Sequence, residues 1–317
     1  VTATVSAAPP AGAAAPRARP RPPRRGTLRT WVARGGLTKI AFALPLVFVF
    51  GYFAWWPIID GVAMSMQRTN LVDPPEFVGW SNFSYVLSDP LLPKAIGNTL
   101  LFAVLALLIG FPAPLLLATF MAELRGTRRL YSVLAYLPVI IPPVVAVLLW
   151  KFFYSPEPTG LFNTVLGWFG AGPFGWLNSA GTVLPAIVVE ATWAYFGSTT
   201  IIYLAALTAV RRELYEAAEI DGAGILRRTW HVTLPQIRGV VLVMALLQII
   251  NTMQVFTEPF VFTGGGPNNA STTILLMIYD YAFIEGDYGA ATALSVLLAL
   301  FLGVVSAVYF AATRRLS

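Results

Sequence analysis

Two acidic residues, Glu190 and Glu258, stand inside long apolar stretches of this chain, where an ionisable group is costly and usually faces a wet interior. Glu258 closes the series Gln248, Asn251, Gln254 and Glu258, which falls within about 120° of one helical face at 3.6 residues per turn. Glu190 opens a second stripe with Trp193, Gly197 and Thr200. Carboxyl and amide groups that hydrogen-bond hydroxyls, beside an aromatic face, suit a passage for sugars or polyols. Pro259, directly after Glu258, frees backbone carbonyls, which is tolerated where a cavity supplies partners. The same side chains equally suit hydrogen bonds between helices, each pair contributing about 0.6–2 kcal/mol. Other chemistry is sparse. Cysteine is absent, so there is neither a thiol nucleophile nor a disulfide framework. The single histidine, His231, sits in a polar segment and reads as a surface residue, and no metal site is expected.

These residues must be held by membrane-embedded elements. Only 11% of the 317 residues are charged and the mean hydropathy is +0.70, whereas soluble domains carry about a quarter charged residues. Uncharged runs at 40–59, 95–122, 130–150, 191–210, 239–257 and 288–313 are each long enough to cross a bilayer, which takes about 20 residues. They are continuous rather than alternating, which selects helices over a closed barrel. The expected fold is therefore all-α and integral to a membrane, with six transmembrane helices. Pro142 and Pro143 fall inside the third run, as a kink or as packing.

The net charge of +6 reports orientation. Of 21 Lys and Arg residues, all but Arg68, Lys94 and Lys151 lie before the first run, between runs two and three, between four and five, or after the last. By the positive-inside rule those segments and both termini are cytoplasmic, and basic side chains there can meet anionic lipid headgroups. Nucleic acid is not an expected partner. Residues 1–36, rich in Ala, Pro and Arg, read as a disordered cytoplasmic tail, and 37–317 as one transmembrane domain. The outward segments 60–97, 154–183 and 259–287 carry Pro, Asn, Gly and Trp, as folded interfacial loops do. Within the last, "TTILLMIYDYAFIEGD" is too short to cross and is expected to form an interfacial helix.

One cytoplasmic segment, 211–237, is polar and poor in bulk. Residues 212–221 are good helix formers, Gly222 supplies a left-handed turn, "ILRRTWHV" resumes the helix and Pro235 is expected to end it. This predicts a short helical hairpin with a bare tip of Ala217, Ala218, Gly222, Ala223 and Gly224. Such a tip suits close approach of another backbone; it also suits a connecting loop lying on headgroups.

The spacing E-A-A, three residues, G, nine residues, V-T-L-P over 216–235 resembles the E-A-A-x3-G-x9-I-x-L-P signature of permease subunits of binding-protein-dependent ABC importers. Only Val232 departs from it. "LPVIIPPVVAVLLWKFFYSPEPTGLFN", "FTGGGPNNAST" and "DYGAATALSVLL" are similar to the carbohydrate-uptake branch, of the maltose and glycerol-phosphate types, and the likeness covers about 37–313. The resemblance implies that the hairpin couples to an ATPase through Glu216, Ala217, Ala218, Asp221, Gly222, Ala223, Leu234 and Pro235. Glu216 would pair with a basic residue of that subunit. It further implies that Gly264, Gly265, Gly266 and Pro267 face an extracellular solute-binding protein, and that a second permease subunit and two ATPase subunits complete the importer in a bacterial cytoplasmic membrane. The chain has no G-x-x-x-x-G-K-[ST] loop to cradle phosphates. It is thus expected to be no enzyme and to bind no cofactor, with ATP and Mg on the partner subunits. Two rivals are weaker. A proton-coupled carrier usually has more spans and internal repeats, and a membrane scaffold or channel component has no use for a bare-tipped hairpin.

Overall fold

The computed structural model describes residues 36–123 and 128–314. All of the expected tail except the backbone of Gly36 lies outside them, as does Arg125. Two units separate, residues 1–57 and 58–317. Helix α1 (Leu37–Met64) begins in the first and ends in the second, and none of its apolar window is buried.

In the second unit an antiparallel ribbon, β1 (Gln67–Arg68) and β2 (Glu76–Phe77), precedes α2 (Ser81–Ser88). The long helices are α3 (Leu92–Ala122), α7 (Val183–Thr208), α10 (Leu234–Met253) and α13 (Tyr288–Thr313). Between them lie α4 (Arg128–Ile140), α5 (Pro143–Phe153), α6 (Leu161–Gly167), α8 (Arg212–Ile220), α9 (Ile225–Arg228), α11 (Thr257–Thr263) and α12 (Ile274–Ile284). Among the described residues five helices are long and apolar enough to cross a bilayer, and six if α4 and α5 count as one broken span. The third expected run is that span. It bends by 97° at Ile141 and Pro142, because Pro142 cannot donate a backbone hydrogen bond and takes an extended conformation (ψ 135°) before α5 restarts at Pro143.

Among the described residues four helices contain a widened π turn, at Gly51–Trp55, Ala106–Gly110, Thr229–Thr233 and Asp280–Ile284. The first three each end two residues before a proline: Pro57, Pro112 and Pro235. The i to i+5 bond that closes each turn, such as Leu234 N–H to Thr229 O, opens the ladder where the proline ring would meet the preceding turn. Pro235 therefore does not end the hairpin helix, as its ring chemistry suggests. The run from Ile225 to Met253 is helical throughout, with Pro235 at the start of α10.

The core falls into three clusters. Trp150, Tyr154, Ile187, Val188 and Phe262 join α5, α7 and α11. Val86, Leu92, Met277, Tyr281 and Leu294 join α2, α3, α12 and α13, so α12 packs one side into protein, while Phe283 and Ile284 at its end stay exposed. Met121, Tyr203, Leu207 and Ile237 join α3, α7 and α10 near the hairpin. Two close approaches between segments distant in sequence require glycine. A Cβ on Gly197 of α7 would stand 2.0 Å from the Ala135 carbonyl oxygen of α4, and one on Gly289 would stand 2.3 Å from the Gln67 oxygen. Beside Gly289, the buried Asn82 amide of α2 donates to Ser65 O and Gln67 O at 3.0 and 2.8 Å, fixing the ribbon to α2.

Candidate functional site

A cavity of about 530 Å³ opens among α3, α7, α10 and α11. Its lining includes Gln248, Asn251, Gln254 and Glu258, so the four polar residues read as one helical face do meet at one wall. Gln254 donates to Ile250 O at 3.2 Å, whereas the Gln248 and Asn251 amides have no hydrogen-bond partner among the described residues. Glu258 is buried on the first turn of α11 and accepts a 3.2 Å bond from the Tyr195 hydroxyl. Beyond Met253 the long helix breaks, with Gln254 at φ −112° and Phe256 at φ −135°, so α11 restarts offset from α10 and Glu258 turns to the same space as the amides.

The facing wall comes from α7 through Thr192, Tyr195, Ser198 and Thr199, with Phe102, Ala106 and Gly110 of α3 below. Gly110 admits this approach: a Cβ there would lie 3.1 Å from Thr192 Oγ1 and 3.5 Å from Gln248 Nε2. No Lys or Arg lines the cavity.

The second expected stripe lies elsewhere. Glu190 and Trp193 are not in the lining. Glu190 is 1% exposed, Trp193 packs on Trp150 with ring centroids 5.5 Å apart, and Gly197 takes the Ala135 backbone. This face of α7 is its seam with α4 and α5. Tyr195 and its polar neighbours were legible as the series 192, 195, 199, at helical spacing. The acid on the adjacent stripe is the stronger signal, and it belongs to the packed side.

The hairpin forms as the residue types require. Helix α8 stops at Gly222, whose φ of +72° only glycine adopts cheaply, and Ala223 N–H returns to Ala218 O at 2.9 Å. Glu216 pairs with Arg212 one turn back at 3.2 Å, both exposed. Glu219 pairs with Arg228 across the turn, and Tyr215 bonds Thr233 at 3.2 Å, so α8 is tied to α9 and the π turn. Asp221 caps α8, and Leu234 with Pro235 opens α10. Large apolar side chains flank the small residues of the tip. Ile220, Leu226 and Trp230 are 88%, 74% and 68% exposed, an apolar surface hidden in the sequence by the intervening charges.

Past α11, the loop of Gly264, Gly265, Gly266 and Pro267 is tightly turned and held by hydrogen bonds. Gly264 and Gly265 take φ +57° and +92°, and the Gly266–Pro267 bond is cis. Ser271 donates to Gly266 O at 2.8 Å, and Asn98 of α3 clamps Asn269 O and Thr272 O at 2.7 and 2.8 Å.

Comparison with known proteins gives the family of the chain. Residues 110–317 match the family model described as the binding-protein-dependent transport system inner membrane component. The arabinooligosaccharides transport system permease protein AraP of Bacillus subtilis is 32% identical over 267 residues, covering 84% of this chain and 85% of that protein. The sn-glycerol-3-phosphate transport system permease protein UgpA of Yersinia pseudotuberculosis is 32% identical over 282 residues, covering 86% and 92%. In the crystal structure of a bacterial alginate ABC transporter in complex with alginate pentasaccharide-bound periplasmic protein, one chain superposes with a TM-score of 0.80 at 27% identity, covering 91% of this chain and 97% of that one. A match across two thirds of the sequence, joined to relatives aligned along most of their length, makes this chain a member of the binding-protein-dependent transport system inner membrane component family.

Proposed function

We propose that the chain is one of two permease subunits of an ATP-driven importer that brings a sugar or related polyol into a bacterial cytoplasm. Both termini and the hairpin face the cytoplasm, the Gly264–Pro267 loop faces a solute-binding protein, and ATP and Mg are held by two ATPase subunits. One observation carries this reading. The Gln248 and Asn251 amides stand on a cavity wall with their hydrogen-bonding capacity unspent, beside the carboxyl of Glu258. Hydroxyl-rich cargo would satisfy them, and an apolar cargo would leave them unpaired at a cost of about 1–3 kcal/mol each. The cavity volume lies within the range of small-molecule sites, about 300–1,000 Å³. With no Lys or Arg in the lining, a neutral sugar fits better than the glycerol phosphate named for one relative or the acidic polysaccharide named for one structural neighbour.

Rocking of the bundle, driven by nucleotide-dependent closure of the ATPase pair beneath the hairpin, would expose this wall to each side in turn. The exposed Ile220, Leu226 and Trp230 supply apolar area for that contact, and Glu216 can exchange Arg212 for a basic residue of the ATPase.

The test is reconstitution of the complete transporter in proteoliposomes, with labelled neutral oligosaccharides, uronate oligosaccharides and glycerol phosphate offered on the binding-protein side. Uptake of a neutral sugar that requires ATP, and that falls at least tenfold in Gln248→Ala/Asn251→Ala while the ATPase still co-purifies, is expected. Uptake driven by a proton gradient without ATP would overturn the reading.

A further inference from the structure

Glu190 is the most deeply buried acid among the described residues, and it serves neither the cavity nor an ion pair there. Its Oε2 has no hydrogen-bond partner among the described residues. In the cluster against which Ala191 and Trp193 of the same helix pack, one buried polar atom shares that condition: the indole Nε1 of Trp150, on α5. The first is an acceptor and the second can only donate.

Their relative position follows from the contacts on either side. The Tyr154 hydroxyl donates to Ala186 O at 2.9 Å, and the Trp150 ring meets Trp193 at 5.5 Å. Trp150 and Tyr154 are one turn apart on one helical edge, while Ala186, Glu190 and Trp193 follow one another along one face of α7. Glu190 thus lies between the two contacts, opposite the turn that carries the Trp150 indole. Two buried groups of complementary type, neither with a partner among the described residues, are thus carried on the two sides of one helix seam, where an unmade bond costs about 1–3 kcal/mol per group.

We propose that the Trp150 indole N–H and the Glu190 carboxyl form a single polar tie between α5 and α7, for which one bridging water is sufficient, and that this tie sets the angle of the bent outer half-span. Glu190 is then a positioning residue for transport rather than a contact for cargo. The consequence rests on the reading of the chain as a transport subunit. α5 follows the 97° bend and packs on α11, which carries Glu258, so the angle of α5 fixes one side of the cavity mouth. The tie itself does not depend on transport.

The experiment uses the natural absence of cysteine. Cysteines replacing the exposed Phe152 and Ser179 carry spin labels in the assembled transporter in nanodiscs, and the distance between α5 and the start of α7 is read without substrate. Trp150→Phe and Glu190→Leu are each expected to broaden or shift that distance, with the double variant no worse than either single. Glu190→Gln, which keeps an acceptor, is expected to restore the original distribution and uptake to within twofold. Independent, accumulating effects of the two single variants, or a Glu190→Gln variant as disturbed as Glu190→Leu, would overturn the tie. Co-purification of the ATPase checks assembly of every variant. Because the distance needs no cargo, its outcome is separate from whether a sugar is the substrate.

Discussion

The Tyr195 hydroxyl donates to Glu258 across 3.2 Å, joining the middle of α7 to the first turn of α11 at one wall of the cavity. The bond crosses the break after Met253, where the backbone alone would leave α11 free to pivot. It therefore aims the one carboxyl on that wall.

Removing this bond should weaken transport more than stability. Tyr195→Phe keeps the ring and loses the donor, and a lost bond to a carboxyl costs about 1–3 kcal/mol. The expected result is a rise of several-fold in the KM for uptake with the complex still assembled, measured by initial rates in proteoliposomes.

Contact between α4 and α7 depends on the missing side chain at Gly197. Gly197→Ala places a methyl against the Ala135 oxygen, so backbone must move, and overpacking of this kind costs about 1–3 kcal/mol. Its thermal unfolding midpoint in detergent should fall clearly below that of the parent. Gly303→Ala, with nothing within 4 Å of the new methyl, should melt as the parent does.

At the hairpin, conformation and charge can be separated. Gly222→Ala forces a side chain into φ +72°, a change of about 1 kcal/mol that distorts the turn. Glu216→Ala leaves the turn intact and deletes the carboxyl now held by Arg212. Both should insert normally. Binding-protein-stimulated ATP turnover is expected to fall in each, and the hairpin amides should lose hydrogen-exchange protection only in Gly222→Ala.

Just past the end of α12, a pH response is expected from Glu285. Burial first, then Asp287, Asp89 and Asp280, hold its carboxyl above the ordinary value of 4.5. A raised carboxyl keeps its proton longer in the folded state than in the unfolded chain. Its contribution is therefore intact below that ordinary value and is lost as pH rises through the raised one. Glu285→Gln should melt with the parent near pH 4 and above it at pH 7.5, by a modest margin because this carboxyl is largely exposed. Equal melting at both values would remove the residue from the pH response.

Much of this was readable in advance, for physical reasons. Long uncharged runs can only be helices in lipid, and the amides of α10 share a face because 3.6-residue geometry holds along an uninterrupted stretch. The hairpin turn was legible because Gly222 has one cheap explanation. Where local chemistry allowed two outcomes, the sequence was silent. Pro235 could end a helix or begin one, and the π turn before it decided the matter. The stripe through Glu190 and the one through Tyr195 lie side by side on α7, and only the neighbours of α7 determine which faces the cavity. The exposure of Ile220 and Leu226 likewise depends on which side of α8 meets the π turn, a tertiary fact.

The unbroken run from Ile225 to Met253 has a mechanical corollary. At about 1.5 Å per residue it is a rod roughly 40 Å long, with the hairpin's second arm at one extremity and Asn251 near the other. A tilt of about 5° at the hairpin displaces the Asn251 amide by roughly 3 Å, the span of one hydrogen bond. In the proposed importer, a small torque at the hairpin would thereby make or break individual contacts at the Asn251 end of the rod, with no relay of intermediate side chains.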